Sequence, residues 1–106
     1  MLTNSLVTIY RSTDGGRYSR IGTCPAWVYR QSRLRSEDGG AYRRDIFDVR
    51  IPSEHAPEIL AGDVVFFGGA EDSYPDLSRC CRISAVTENT AGSCPHIHFE
   101  AENQYR

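Results

Sequence analysis

The stretch Ala61-Gly62-Asp63-Val64-Val65-Phe66-Phe67, followed by Cys81-Arg82-Ile83-Ser84-Ala85-Val86 and the turn Thr87-Glu88-Asn89-Thr90-Ala91-Gly92-Ser93, decides the fold. A Gly-Asp step launches a short apolar run, a second run of β-branched residues ends in a polar turn, and neither is long enough for an amphipathic helix. This is the grammar of strands joined by turns. Working outward, 51–100 reads as barrel framework with no recognisable active site.

The N-terminal half repeats the pattern. Leu6-Val7-Thr8-Ile9-Tyr10 is largely β-branched or aromatic and ends at Thr13-Asp14-Gly15-Gly16, where Asp-Gly supplies the positive φ of a tight hairpin. The return strand, Tyr18-Ser19-Arg20-Ile21-Gly22, leads to Cys24-Pro25, and Pro25 suits the entry of a new edge strand, Ala26-Trp27-Val28-Tyr29-Arg30-Gln31. Residues 32–41 have the composition of an exposed loop or hairpin tip. From Tyr42 to Ile51 a period of two returns, with Ile46, Asp48 and Arg50 on one face and Phe47, Val49 and Ile51 on the other. The segment 52–60 is too broken by proline for a regular element, although 57–60 could form one helical turn. Residues 68–76 make a second polar loop, and strands follow over 79–86 and 96–101.

No window of eleven residues has convincing helical periodicity, and turn signals recur at roughly 8–12 residues, the spacing of sandwiches and barrels. The fold class expected is all-β: a small single-domain β-barrel, SH3-like or similar, over residues 1–106, with protruding loops. Closure is the economical way for six or seven short strands to hide their edges.

Composition narrows the function. A chain of 106 residues, 40% hydrophobic and 25% charged, supports one core. A formal charge of −2 and a pI near 5.9 argue against a binder that neutralises many phosphates. All 12 basic residues are Arg, whose planar fork pairs with carboxylates and stacks on aromatic rings; GC-rich coding is the preferred explanation of the bias over interface selection. No apolar run reaches the roughly 20 residues of a membrane helix and Met1 to Ser5 lacks the marks of a signal peptide, so a soluble, intracellular chain with reduced Cys24, Cys80, Cys81 and Cys94 is expected.

Candidate chemistry is sparse. His96 and His98 share a face of the last strand and two imidazoles there could hold a transition metal, with Cys24, Cys80, Cys81 or Glu100 completing the set. A His-x-His pair on the solvent face, with Ile97 and Phe99 turned inward, explains the same residues without a metal and is preferred, since no second cluster of zinc spacing accompanies it. The vicinal pair Cys80-Cys81 lacks redox Cys-x-x-Cys spacing, and its two thiols should face opposite sides of the sheet. Cys94 and His96 lack an orienting acid for nucleophilic catalysis. The glycines form no phosphate-binding motif. Trp27, Tyr10, Tyr18, Tyr29 and Tyr42 could make a recognition surface with Arg30 or Arg43, but their place in alternating segments favours barrel core or cross-strand pairs.

The order Ile51-Pro52, Ala61-Gly62-Asp63-Val64-Val65 with Gly68, Arg82 to Asn89, Gly92-Ser93 and His96-Ile97-His98 resembles a set of small proteins from the capsid and tail-joining gene clusters of phages and prophages of Gram-positive gut bacteria. Val7-Thr8-Ile9-Tyr10 with Ala26-Trp27 is similar to the family's opening hairpin; Glu88 stands where the pattern has Asp, and 68–78 has no counterpart. The resemblance implies a non-enzymatic virion protein, a head-closure or minor capsid protein joining portal, adaptor or tail proteins, without cofactor or metal. It would act in the virion and in host cytoplasm during assembly, as a ring in place and a monomer in isolation; the charge gives no sign of DNA contact in a channel. The contact surfaces expected are the sheet edge and two loops carrying Arg33, Arg35, Glu37, Asp38 and Tyr42, and Glu71, Asp72 and Tyr74. The alternative is a metal-binding barrel protein or enzyme using His96 and His98.

Overall fold

The computed structural model describes residues 3–13, 16–37, 40–71, 75, 77–90, 92 and 94–102; for 31–37, 40–45 and 78 the description is of the backbone. Six strands occur among them: β1 (Ser5–Thr13), β2 (Arg17–Glu37), β3 (Gly40–Pro52), β4 (Val64–Phe67), β5 (Cys80–Asn89) and β6 (His96–Glu102). They form a closed antiparallel barrel in the order β1-β2-β3-β6-β5-β4, as the alternation of turn signals and short apolar runs requires. Closure removes the free edge from the barrel wall, where the sequence offered it as a contact surface.

Alternation fills the interior. Val7 and Ile9 from β1, Val49 and Ile51 from β3, Val65 from β4, Cys81 and Ile83 from β5 and Phe99 and Ala101 from β6 are all buried in one cluster. The faces expected for β3 are correct: Val49 and Ile51 point in, while Arg50 is exposed. At one end the connection from β3 to β4 lays Ile59 and Ala56 onto the core. At the other, the rings of Phe47 and Phe67 meet across the interior with centroids 4.6 Å apart. Their strands are not neighbours in the ring, so this pair plugs the barrel rather than zipping two strands.

Two boundaries differ from expectation. Pro25 does not begin a strand: β2 runs unbroken through it, pairing with Leu6 of β1, with an irregular register at Ile9/Tyr10 absorbing one extra residue of β2. A missing N–H is tolerated there because the ladder to β3 starts only at Trp27. The connection 53–63 has its single turn of 3-10 helix at Ser53–His55, not at 57–60. There Ser53 N–H is held by the Pro95 carbonyl at 3.1 Å, which fixes the first residue of the turn.

The Gly62-Asp63 turn is where the sequence placed it. Gly62 has φ +96, a conformation that glycine adopts without strain. Its N–H donates to the Ile83 carbonyl and the Ile83 N–H returns to the Asp63 carbonyl, both at 2.8 Å, so the turn is stitched to β5.

Candidate functional site

Residues 31–37 and 40–45 pair only with each other among the described residues: β2 and β3 stay in register from Trp27↔Arg50 to Glu37↔Gly40, whereas pairing of β3 with β6 begins at Ile46↔Glu102. They form a two-stranded ribbon leaving the barrel at the end plugged by Phe47 and Phe67, about 20 Å long at ~3.4 Å per residue. The sequence reads 32–41 as a loop or hairpin tip. The structure keeps the pairing of a hairpin but moves the strand ends outward, so Arg33, Arg35, Glu37 and Tyr42 stand in strands. Polar composition misleads here because a strand whose residues do not alternate between apolar and polar gives no period-two signal to read.

The ribbon is anchored at its root. The Asn4 side chain bridges β2, accepting from Val28 N–H at 2.9 Å and donating to the Val28 carbonyl at 3.1 Å. An amide side chain there stands in for one more residue of β1.

On the outer face of the same two strands, Trp27 and Tyr29 stack at 5.8 Å between centroids and 6° between planes, with the Arg50 guanidinium 5.2 Å from the Trp27 centroid. This corrects the core placement of Trp27. Cys24 and Ala26 take the inward positions of this stretch, since a narrow barrel accepts small side chains where six walls converge. Tyr29 is 52% exposed, while Tyr10 is buried as expected. The aromatic surface exists, with Arg50 as its cation in place of Arg30 or Arg43. Register carried the signal, because Arg50 stands directly opposite Trp27.

The face continues onto β6. His98 Nε2 donates to Asp48 Oδ1 at 3.2 Å, and His96 Nδ1 donates to the Cys94 carbonyl at 2.9 Å. Phe99 is buried and Ile97 packs against the core, so the alternation read from the sequence is correct. Among the described residues no three or more His, Cys, Asp or Glu side chains gather in a way that could hold a metal ion. None of the four cysteines forms a disulfide; Cys81 is buried and Cys80 half-buried, on opposite faces of β5.

The second expected contact loop behaves differently. Thr8, fully buried on the outer side of β1, donates to the Gly68 carbonyl at 2.8 Å and accepts from Ala70 N–H at 3.1 Å, and its hydroxyl lies 2.9 Å from that of Thr23. Arg20 Nε adds a bond to the Ala70 carbonyl at 2.8 Å. The start of this loop is therefore fastened to the barrel wall. Glu71 is exposed beyond it, whereas Asp38, Asp72 and Tyr74 lie outside the described residues.

A cleft of about 320 Å³ opens between Tyr18, Val64, Leu77, Cys80 and Arg82. Among the described residues its lining includes no carboxylate or imidazole to act as a base for the Cys80 thiol. No helix among the described residues is long and apolar enough to cross a membrane.

Comparison of the chain with family models, curated proteins and solved structures found no match.

Proposed function

We propose that this chain is a non-enzymatic structural protein of a tailed-phage virion, a head-closure connector or minor capsid protein that joins the portal or adaptor ring to its neighbours. The observation carrying this reading is the β2–β3 ribbon, which extends two paired strands beyond the barrel and whose outer edges pair with no other strand among the described residues. Such an arm can add to a sheet edge or lie along a partner's surface, as ring and adaptor assemblies require. Arg33, Arg35, Glu37 and Tyr42 are the contact positions within it; Glu71 is a secondary one. The stacked Trp27 and Tyr29 at the root form the rigid aromatic platform against which such an arm closes.

The reading is tested by mixing the purified protein with the products of its flanking genes and imaging the portal or adaptor ring by electron microscopy. Stoichiometric decoration of the ring, lost when Arg33 and Arg35 are both changed to Ala, is expected. Flanking genes that encode no virion protein, together with no binding to any of their products, would end it.

A further inference from the structure

We infer that Tyr29 and Glu100, on the outer face of β2, β3 and β6, form a receptor for a guanidinium group, the side chain of an exposed arginine on a partner protein. The register lays two parallel rows across this face. In one, Trp27 stands opposite Arg50 and Arg50 opposite His98. In the other, Tyr29 stands opposite Asp48 and Asp48 opposite Glu100. All six point outward, since Val28, Val49 and Phe99 between them turn to the core.

The first row already holds a guanidinium. That of Arg50 lies 5.2 Å from the Trp27 centroid, and Tyr29 stacks on the same indole with only 6° between the planes. The second row repeats the ring without the cation. The residue opposite Tyr29 is an aspartate, and among the described residues the Tyr29 ring makes no ring or cation contact beyond Trp27, although the residue is 52% exposed. A carboxylate lies in the same row: Glu100 is exposed, and among the described residues its side chain forms no hydrogen bond or ion pair. Asp48 between them is engaged by His98, and the site does not depend on it. Glu100 is two strands from Tyr29, about 10 Å at ~4.8 Å per strand, a gap that an arginine stacked on the ring and an extended glutamate close between them.

An exposed ring face with a carboxylate in reach selects a flat cation. The negative face of the ring attracts positive charge, and a guanidinium lies flat on it while its N–H groups point sideways to the carboxylate, so both contacts form at once. An ammonium is compact, strongly hydrated and has no plane to lay on the ring. A phosphate is repelled by Glu100, and an apolar segment finds a single ring bordered by charge. The occupant fitted to both groups is an arginine side chain, which extends the stack that Arg50, Trp27 and Tyr29 begin.

Trp27 is the single tryptophan of the chain, so its indole N–H is an unambiguous reporter in a proton–nitrogen correlation NMR spectrum. The probe is Nα-acetyl-arginine amide, titrated at constant ionic strength beside its neutral isostere Nα-acetyl-citrulline amide and beside Nα-acetyl-lysine amide. The arginine probe should shift the Trp27 indole and the Tyr29 and Glu100 amides along one saturable curve with a millimolar dissociation constant. The lysine probe should bind about threefold or more weakly, and the citrulline probe should give no saturable shift. Tyr29→Leu keeps the apolar bulk and removes the ring, and Glu100→Gln keeps the shape and removes the charge. Each should weaken binding of the arginine probe about threefold or more. Both residues are exposed, and the same spectrum shows whether each variant is folded. Absence of a saturable shift with the arginine probe overturns the site, and so does equal binding of the citrulline probe or binding unchanged in either variant. Equal binding of the lysine probe overturns the stacked guanidinium. The site rests on the geometry of this face and not on the connector reading, and because the probes are small molecules its failure leaves the binding of the ribbon to a ring untouched.

Discussion

Arg11 and Asp63, 52 residues apart in the chain, are joined by two parallel hydrogen bonds: Nε to Oδ1 at 3.1 Å and Nη2 to Oδ2 at 3.0 Å. Asp63 is only 3% exposed and also accepts from Leu60 N–H at 2.9 Å, while Arg11 Nη2 reaches the Glu58 carbonyl at 2.8 Å. The pair ties β1 to the connection that crosses the barrel end, and the hydrogen bond to Asp63 raises the Arg11 pKa above its ordinary value. An Arg11→Met variant keeps the stem and strands the carboxylate. It should lose about 3 kcal/mol in urea denaturation, the low end of the range for breaking a buried pair because Arg11 is partly exposed. A loss under about 1 kcal/mol would place the pair with ordinary surface ion pairs.

Gly68 has φ +146, and a Cβ built there would sit 2.9 Å from Cε2 of the Phe66 ring, itself capped by the Arg79 guanidinium 5.4 Å from its centroid. Gly68→Ala should cost about 1–3 kcal/mol by the same measurement. Gly92→Ala provides the contrast: φ is +85 but nothing lies within 4 Å of the new methyl, so only backbone strain is added and the loss should be smaller.

Burial pushes the Cys24 thiol up to about 11 from an ordinary value of 9.0. The folded state thus holds its proton where the unfolded state releases it. This contribution to stability is complete below pH 9 and is lost as pH rises through about 11. Stability measured across that window should fall less steeply in Cys24→Ala than in the native chain; equal slopes would discount the thiol. At pH 8 a thiol reagent should label exposed Cys94 first, with buried Cys24 and Cys81 reacting only after urea is added.

Gln31 and Ile46 are register partners at the ribbon's root. Replacing residues 32–45 by Asn-Gly, a two-residue turn suited to a hairpin, removes the ribbon without opening the barrel. The shortened protein should melt within about 5 °C of the native chain, a difference of roughly 1 kcal/mol for a domain of this size. Failure to fold would mean that the ribbon belongs to the barrel's stability.

The sequence made the class and most strands legible because alternation and Gly-Asp punctuation are local signals. It left open which face of an alternating strand turns inward. For Trp27 the wrong face was favoured, since size argued for the core where the barrel had room only for Cys24 and Ala26. Nothing local joins Arg11 to Asp63 or Thr8 to Gly68, and both contacts exist only once the ring has closed. The continuity of β2 through Pro25 was hidden for a similar reason: a proline ends a strand when both neighbours are paired, and here one side is not. Of the positions proposed for contact, Arg33, Arg35, Glu37 and Tyr42 are read from composition, while the grouping of Trp27 with Arg50 and of Asp48 with His98 needs the register.

β2 is at once a stave of the barrel and one half of the arm, with no joint between the two. A pull along the arm therefore reaches the barrel as shear, spread over the ladder of β2 to β1 and the ladder of β3 to β6, whose bonds lie across the direction of load. Bonds loaded in this way must yield together, whereas a hinged arm would let them peel one at a time. Whatever holds the arm holds the barrel, and tension on one is borne by the whole of the other.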